Sequence, residues 1–208
     1  MITKIKGKET VVSIKEKYED TALKRLKPEL KAAGFEELPE QMLFIALKEE
    51  RILELWGEAD ANWKLIKKYP FTAFSGKLGP KLKEGDKQIP EGVYKIEYLN
   101  PNSAYHLSLK VNYPNAFDKQ KAAEENRTKL GGDIFIHGKA VTIGCIPIGD
   151  KAIEEVFVLA SKAMNKGIKV IISPIDFRKR SDIPEINSVS WENELYAIIT
   201  SELREFSL

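Results

Sequence analysis

The sequence feature that most constrains the fold is a series of short apolar segments, separated by turn residues, that begins at Gln41. MLFIALK and RILELWG flank the polar pair Glu49 and Glu50, a pattern that predicts a β-hairpin. NWKLIKKYPFTAFSG predicts a further strand interrupted at Pro70, and IPEGVYKIEYL predicts another strand after a turn. Because these strands follow one another without intervening helices, the pattern favours an antiparallel sheet or sandwich over repeated β-α-β units.

Helical periodicity occurs on both sides of this region. Residues 9–35 carry apolar side chains at helical spacing, and we expect Pro28 to divide them, because proline removes a backbone donor. Gly34 is suited to the C-terminal cap of this segment. Near the other end of the chain, Asp150 is predicted to cap a helix that continues to about Asn165.

The last apolar pattern, WENELYAIITSELREF, predicts a final amphipathic helix after the buried strand KVIISPI. Residues 176–188, between these two segments, are predicted to be a loop. Helices at both ends of a largely antiparallel sheet indicate the α+β class. The residues of the final helix that we expect to face inward are Trp191, Leu195, Ile198, Ile199 and Leu203.

The charge balance excludes several classes of partner. The chain has 208 residues, with 33 basic and 31 acidic side chains and a formal net charge of +2. It therefore has no global field to attract nucleic acid or an anionic membrane, and no apolar run approaches the length of a membrane helix. One cysteine and two histidines form no internal disulfide and supply few ligands for a closed zinc site, so we predict no metal and no other cofactor.

Candidate chemistry is concentrated in residues 133–150, DIFIHGKAVTIGCIPIGD, which contain the one cysteine and one of the two histidines. Residues 134–136 predict a strand that ends at His137, and residues 141–146 predict a second strand that returns after a turn. This hairpin would bring Cys145 beside His137. Thiolate is the nucleophilic form of cysteine and imidazole is a suitable base, so a catalytic pair is one interpretation.

The alternative interpretation of this segment is structural. A single cysteine is usually a small buried hydrophobic residue, and a histidine at a strand end is usually a core or surface residue. Gly144 favours a functional site, because a glycine directly before Cys145 allows a close backbone approach or a strained turn. If the pair is catalytic, we expect the thiol pKa to lie below that of a free cysteine.

The segment IHGKAVTIGCIPI is similar to the signature of the L,D-transpeptidase catalytic domain, also called the YkuD domain. That signature is histidine-glycine, a short loop, and then Ser/Thr-x-Gly-Cys. Over residues 43–175 the chain resembles the YafK-like branch of the family. The His-to-Cys spacing is shorter than in long-loop members, and Pro147 stands where an arginine commonly follows the cysteine. The matching positions are His137, Gly138, Thr142, Gly144 and Cys145.

The resemblance implies an architecture and a location. It implies a mainly antiparallel β-sandwich or barrel-like catalytic core over residues 41–208, preceded by a helical extension over residues 1–40. It implies action on peptidoglycan stem peptides in the cell envelope or periplasm, or after secretion, although the chain as given begins without a signal sequence. We expect the protein to be a monomer.

The site residues have expected roles. Cys145 would be the nucleophile and His137 its base, and the main-chain N–H groups of Gly144 and Cys145 would bind the oxyanion. The resemblance assigns the orientation of His137 to the main-chain carbonyl of Gly138. Asp133 is too far along an extended strand, about 13 Å at ~3.3 Å per residue. The expected substrate-binding residues are Thr142, His106 and Arg127.

Two regions have open interpretations. In NPNSAYHLSLKVNYP, His106 shares a predicted polar strand face with Ser108 and Lys110, and is either a half-exposed surface residue or part of the cleft wall. The loop at residues 76–92 is either solvated surface or a binding loop for stem-peptide carboxylates. Its candidate cations are Lys77, Lys81, Lys83 and Lys87.

Three functions fit the resemblance. A transpeptidase would form a thioester on Cys145 and pass the acyl group to an amine. A hydrolase would pass it to water, trimming peptidoglycan as an L,D-endopeptidase or carboxypeptidase or releasing a wall-linked protein. A wall-binding module would keep the pair without turnover, which the intact His137, Gly144 and Cys145 disfavour. The choice between amine and water depends on acceptor-site shape and water exclusion, which the sequence does not specify.

Overall fold

A computed structural model describes residues 8–180 and 189–206 of the protein. It contains four α-helices and eight strands within those residues, which confirms the predicted α+β class. The helices are α1 (Val11–Ala32), α2 (Ala116–Glu124), α3 (Asp150–Ala163) and α4 (Glu192–Leu203). The strands are β1 (Met42–Leu47), β2 (Ile52–Ala59), β3 (Asn62–Pro70), β4 (Gly92–Asn100), β5 (Ser108–Val111), β6 (Phe135–His137), β7 (Ile146–Pro147) and β8 (Ile168–Ser173).

The strands form one mixed sheet in the order β3-β2-β1-β8-β4-β5-β6-β7. Most neighbouring pairs are antiparallel, as predicted, including the β1–β2 hairpin. The pairs β1–β8 and β6–β7 are parallel. Strand β4 joins the two halves of the sheet, because residues 92–95 pair with β8 and residues 96–100 pair with β5.

Helix α1 is continuous, so the expectation that Pro28 divides it is wrong. Pro28 removes one intrahelical hydrogen bond, but Leu26 and Leu30 on either side of it are both buried in the core. Packing of both turns outweighs the missing bond. The C-cap of α1 is Ala33, and Gly34 directly after it takes the left-handed conformation that terminates the helix, with φ +85° and with the N–H of Phe35 donating to the carbonyl of Leu30 at 2.8 Å.

A buried carboxylate joins α1 to α3 and to the sheet. Glu155 of α3 accepts hydrogen bonds from Arg25 Nε at 2.6 Å, Lys67 Nζ at 2.8 Å and Tyr69 Oη at 2.8 Å. Only 4% of the Glu155 side chain is exposed. Both carboxylate oxygens therefore have hydrogen-bond partners, and two cations balance the charge. Without these partners, burial of the carboxylate would be energetically costly.

In the C-terminal half, the predicted cap of α3 and one predicted inward residue of α4 are wrong. The N-cap of α3 is Gly149, and Asp150 is the first helical residue. In α4, the inward position predicted for Ile198 is taken by Tyr196, because Ile198 is 38% exposed while Tyr196 is fully buried. The other four residues predicted to face inward are buried. The part of the predicted loop at residues 181–188 lies outside the described residues.

Residues 8–180 and 189–206 hold neither a membrane-spanning helix nor a cluster of metal-binding side chains. None of their helices is long and apolar enough to cross a bilayer. They contain no group of three or more His, Cys, Asp or Glu side chains arranged to hold a metal ion.

Candidate active site

The segment that contains the Cys-His pair is a loop crossover, not the predicted hairpin. Strands β6 and β7 are parallel, with Ile136 opposite Ile146 and His137 opposite Pro147. Parallel strands cannot be joined by a tight turn, so the chain must cross over between them. Of the predicted strand at residues 141–146, only Ile146 lies in β7, and the rest belong to the loop, where Val141 is 54% and Ile143 74% exposed.

Thr142 holds the end of this loop. Its Oγ1 accepts hydrogen bonds from the N–H of Gly144 at 3.1 Å and from the N–H of Cys145 at 2.8 Å. The same hydroxyl donates to the carbonyl of Cys145 at 2.8 Å. Both main-chain donors predicted for an oxyanion are therefore bound to Thr142 in the resting structure.

Glycine is required at both signature positions. Gly144 has φ +133°, and a Cβ there would lie 2.9 Å from the carbonyl oxygen of Gln88. A Cβ at Gly138 would lie 2.6 Å from Asp150 Oδ1 and 2.8 Å from the carbonyl oxygen of Tyr105. The loop therefore packs more closely against its surroundings than any side chain would allow.

His137 is buried and held in one orientation. Its Nδ1 lies 2.6 Å from the carbonyl oxygen of Gly138, and the ring of Tyr105 stacks on it with centroids 4.6 Å apart. Because a carbonyl oxygen only accepts, Nδ1 carries the proton and Nε2 is free to accept one. Burial lowers the pKa of His137, partly opposed by the Gly138 carbonyl, so the imidazole is neutral at neutral pH.

Cys145 lies just before β7 and is partly exposed. Extending the β6–β7 register by one residue places it opposite Phe135, on the sheet face that also carries His137. Its Sγ donates to the main-chain carbonyl of Asp133 at 3.4 Å. The site therefore brings the thiol and the imidazole to one face at the ends of neighbouring strands.

The pKa of the Cys145 thiol is shifted in the direction opposite to the expected one. Burial raises the pKa of Cys145, while the main-chain N–H of Phe135 and the charge of Lys110 act against that rise. The expected pKa below that of a free cysteine is therefore wrong for the resting structure. Thiol and imidazole are both neutral at rest, and thiolate forms only when the proton moves to His137.

His106 does not share a polar strand face with its neighbours. It precedes β5 with φ +75°, and its Nε2 lies 3.0 Å from Glu154 Oε1, while Tyr18 of α1 packs edge-on against its ring. Strand β5 is buried on both faces, including Ser108 and Lys110. His106 thus contacts α1 and α3.

A groove of about 780 Å³ lies beside the loop at residues 76–92. Lys77 and Lys83 line it, whereas Lys81 is buried and paired with Asp86. Arg127 also lines the groove, with its guanidinium bound to Glu125 and to the carbonyl of Leu82. Cys145 and His137 do not line this groove, but Gln88 forms part of its wall and the Gln88 carbonyl oxygen lies against Gly144, the residue before Cys145.

Three contact residues of this site were missed by sequence reasoning. Tyr105 stacks on His137, Asp150 accepts the N–H of Lys139 at 2.8 Å, and Gln88 contacts Gly144. Asp150 is the one with a usable signal, since its position at a helix start favours bonds to nearby N–H groups. The other two come from distant loops, and no local pattern predicts their approach.

The chain resembles known proteins in sequence. The model of the L,D-transpeptidase catalytic domain, YkuD, matches residues 40–172. "Putative L,D-transpeptidase YafK" from Escherichia coli strains K12 and O157:H7 is 34% identical over 132 residues, which are 61% of this chain and 51% of the relative. The chain thus spans about half the length of these curated relatives (51%).

A solved structure shows the same fold. The crystal structure of the helical cell shape determining protein Pgp2 from Campylobacter jejuni has a TM-score of 0.53 at 20% identity, and the match covers 85% of this chain and 61% of that one. At this identity the likeness concerns the fold alone. Because the family model covers most of the 208 residues, including the whole Cys-His segment, the chain belongs to the L,D-transpeptidase catalytic domain (YkuD) family.

Proposed function

We propose that the protein catalyses acyl transfer on peptidoglycan stem peptides through a thioester on Cys145, with His137 as the base. The observation that carries the proposal is the state of His137. Its Nδ1–H is bound to the Gly138 carbonyl, which leaves Nε2 as a proton acceptor on the sheet face that carries the thiol. That arrangement is suited to removing a proton from sulfur.

The proposed reaction has two steps. His137 Nε2 takes the Cys145 proton, sulfur attacks the amide carbonyl, and the imidazolium returns the proton to the departing amine, leaving a thioester. A second amine then attacks the thioester carbonyl, the C–S bond breaks, and the proton that the amine loses passes through His137 to the sulfur, which regenerates the thiol. Because the pair is neutral at rest, charge separates only as the reaction begins, so hydrogen bonds to the developing oxyanion matter greatly.

The donors for that oxyanion are proposed to be the N–H groups of Gly144 and Cys145. Both are the main-chain donors next to the sulfur, and both are bound to one acceptor, Thr142 Oγ1. A rotation of the Thr142 side chain would free both groups at once. Thr142 is therefore proposed to act on the oxyanion site through the loop, in addition to any contact with substrate.

Recognition of the stem peptide is proposed to occur in the groove beside Gln88. Its wall carries Lys77, Lys83 and Lys129, which are exposed cations suited to the carboxylates of a stem peptide. Arg127 is proposed to hold the groove wall, because its guanidinium is already bound within the protein. His106 is proposed to support the fold instead of the cleft.

A division of the chain and a location accompany this proposal. Residues 1–40 are proposed to be a helical extension and residues 41–208 the catalytic domain, which is supported by the start of the family match at residue 40. Action on peptidoglycan places the protein in the cell envelope or outside the cell. The partner is then the peptidoglycan stem peptide, and the protein is proposed to act as a monomer.

The test is turnover of defined muropeptides with an amine acceptor, followed by mass spectrometry. The Cys145→Ser variant keeps nearly the same volume and should melt close to the unsubstituted protein, yet its turnover should collapse, because an imidazole does not ionise a hydroxyl. Retained turnover in this variant would contradict the thioester. Products that carry water instead of the amine would identify a hydrolase that uses the same thioester.

A further inference from the structure

The resting site needs a group that stabilises the Cys145 thiolate. Thiolate forms when the Cys145 proton moves to His137, and burial of both groups opposes that separation of charge. Helix α3 begins at Asp150, five residues after Cys145 along the chain, so Cys145 is not part of the first turn, where the helix dipole acts. A cation beside the sulfur would meet the requirement.

A row of side chains across four strands leads from the thiol to such a cation. Tyr98 of β4 pairs with Lys110 of β5, and Lys110 pairs with Phe135 of β6. Continuing the β6–β7 register places Cys145 on the other side of Phe135. Directly opposed residues point to the same face, so the ammonium and the sulfur flank one phenyl ring, over which Lys110 Nζ lies 4.9 Å from the centroid.

Asp133 connects the two groups. Its main-chain carbonyl accepts the Cys145 Sγ–H at 3.4 Å, and its carboxylate Oδ1 lies 3.2 Å from Lys110 Nζ. Asp133 has φ +55°, a backbone conformation uncommon for residues other than glycine, asparagine and aspartate. One residue therefore touches both the thiol and the ammonium.

Exposure of the two charges is unequal. The side chain of Lys110 is 10% exposed, whereas that of Asp133 is 91% exposed. Water screens the carboxylate but only weakly screens the ammonium, so the positive charge is felt more strongly at the sulfur. The pair therefore has a net positive effect there, which Asp133 reduces without cancelling.

We propose that Lys110 stabilises the Cys145 thiolate and that Asp133, by pairing with Lys110, limits this stabilisation. The proposal rests on Cys145 being the nucleophile of the proposed function. The step is a single proton transfer: the S–H bond breaks, the proton moves to Nε2 of His137, and the electron pair stays on sulfur beside Lys110. Neither residue need touch the substrate for this effect, so both act by tuning the thiol.

The test measures the rate of Cys145 alkylation by iodoacetamide from pH 6 to 10 in the full chain, which reports the thiol pKa without any substrate. Lys110→Met keeps the length of the side chain and removes the charge. The pH at the midpoint of the alkylation-rate curve should therefore rise by up to about one pH unit, as for removal of a nearby charge. Asp133→Asn should lower the midpoint, and asparagine also tolerates the backbone at this position. Lys110→Arg should keep the midpoint near that of the unsubstituted protein.

The matched control is Lys95→Met, which removes an exposed lysine of β4 and should leave the midpoint unchanged. Opposite shifts in Lys110→Met and Asp133→Asn support the proposal, because damage to the fold would not move the two midpoints apart. Shifts in the same direction, or an unshifted midpoint in Lys110→Met, would overturn it. If Lys110→Met does not fold, an unshifted midpoint in Asp133→Asn overturns it alone.

This readout also separates the inference from the proposed function. Opposite midpoint shifts without any muropeptide turnover would keep the tuning of the thiol and reject the acyl-transfer reaction. Turnover that depends on Cys145 together with unshifted midpoints would reject the tuning and keep the reaction.

Discussion

The two histidines occupy contrasting surroundings, although both lie in strand-like sequence and are candidates for the site. His137 is almost fully buried, its Nδ1 is bound to a main-chain carbonyl and its neighbour is an aromatic ring. His106 is partly exposed, its Nε2 faces the Glu154 carboxylate and its neighbours are on α1 and α3. His137 has a free nitrogen on the sheet face that carries the thiol, whereas the outer nitrogen of His106 is bound.

The difference lies in what each ring nitrogen does. A carbonyl at Nδ1 fixes the neutral tautomer and leaves Nε2 to move a proton, which suits acid-base chemistry. A carboxylate that hydrogen-bonds Nε2 holds the ring in place, which suits attachment of one element to another. His106 thus belongs with the Arg25–Glu155 contacts that hold α1 against α3, and His137 belongs with Cys145.

The largest expected effect is on turnover in the His137→Ala variant. Loss of the base should lower turnover by about 10²–10⁴-fold. The double variant with Cys145→Ser should be hardly worse than either single one, because residues that act as a unit are not additive. Muropeptide turnover beside a thermal melt measures this, and a variant that retains turnover would show that His137 is not the base.

The second effect concerns stability on the α1 side. Glu155→Gln leaves Arg25 and Lys67 without their buried carboxylate, so the free energy of unfolding should fall by about 3 kcal/mol. Glu16→Gln, an exposed change on α1, is the control and should cost almost nothing. Urea unfolding measures both. Equal midpoints for the two variants would mean that this network does not hold the helix.

A smaller effect is expected at the other histidine. His106→Gln removes the contact with Glu154 at a partly exposed position, so we expect a loss of about 1 kcal/mol or less in unfolding free energy. Turnover per folded molecule should stay the same. A large loss of turnover with an unchanged melt would instead place His106 in the substrate cleft and break the contrast between the two histidines.

Groove recognition should change KM more than kcat. Changing Lys77, Lys83 and Lys129 together to Gln should raise KM and flatten its dependence on salt, because exposed charges attract a carboxylate through screened interactions. Lys87→Gln is the control, since Lys87 is exposed but does not line the groove. Unaltered kinetics in the triple variant would assign the loop to solvated surface.

The smallest effect is a pH dependence of stability. Burial holds the folded-state pKa of His137 below its unfolded value, so the unfolded chain binds the proton first as the pH falls. Stability should decline as the pH drops below ~6.5, the unfolded value, towards the folded pKa. In His137→Gln, the contribution of this histidine to the dependence of unfolding free energy on pH should disappear. Chemical unfolding at several pH values, with His106→Gln as the comparison, measures it.

Sequence patterns predicted most of the sheet but not its parallel pairs. The β1–β2 hairpin and the strand up to Pro70 follow from local alternation and turn residues, and both are confirmed, whereas the predicted continuation of that strand after Pro70 is wrong. The β6–β7 segment has the sequence pattern of a hairpin, because glycine between two apolar runs fits a tight turn and a crossover loop equally well. Parallel pairing depends on the rest of the sheet, and the hydrophobic periodicity of a short segment does not reveal it.

The pair of signature residues was identifiable from sequence, whereas its electrostatics was not. His137-Gly138 and Gly144-Cys145 stand out because glycine and the reactive residues adjoin one another. The raised thiol pKa depends on burial, and the approach of Lys110 depends on strand register. These are properties of assembled strands, so the expectation of an activated resting thiol had no basis in the local pattern.

The most direct test of the central claim is a search for the acyl-enzyme by intact-protein mass spectrometry. The protein is mixed with a defined muropeptide, quenched in acid within seconds and digested to locate any adduct. The account predicts a thioester adduct on the peptide that contains Cys145, lost in Cys145→Ser and discharged by an added amine. Steady turnover with no adduct on that peptide, or an adduct on another residue, would contradict it.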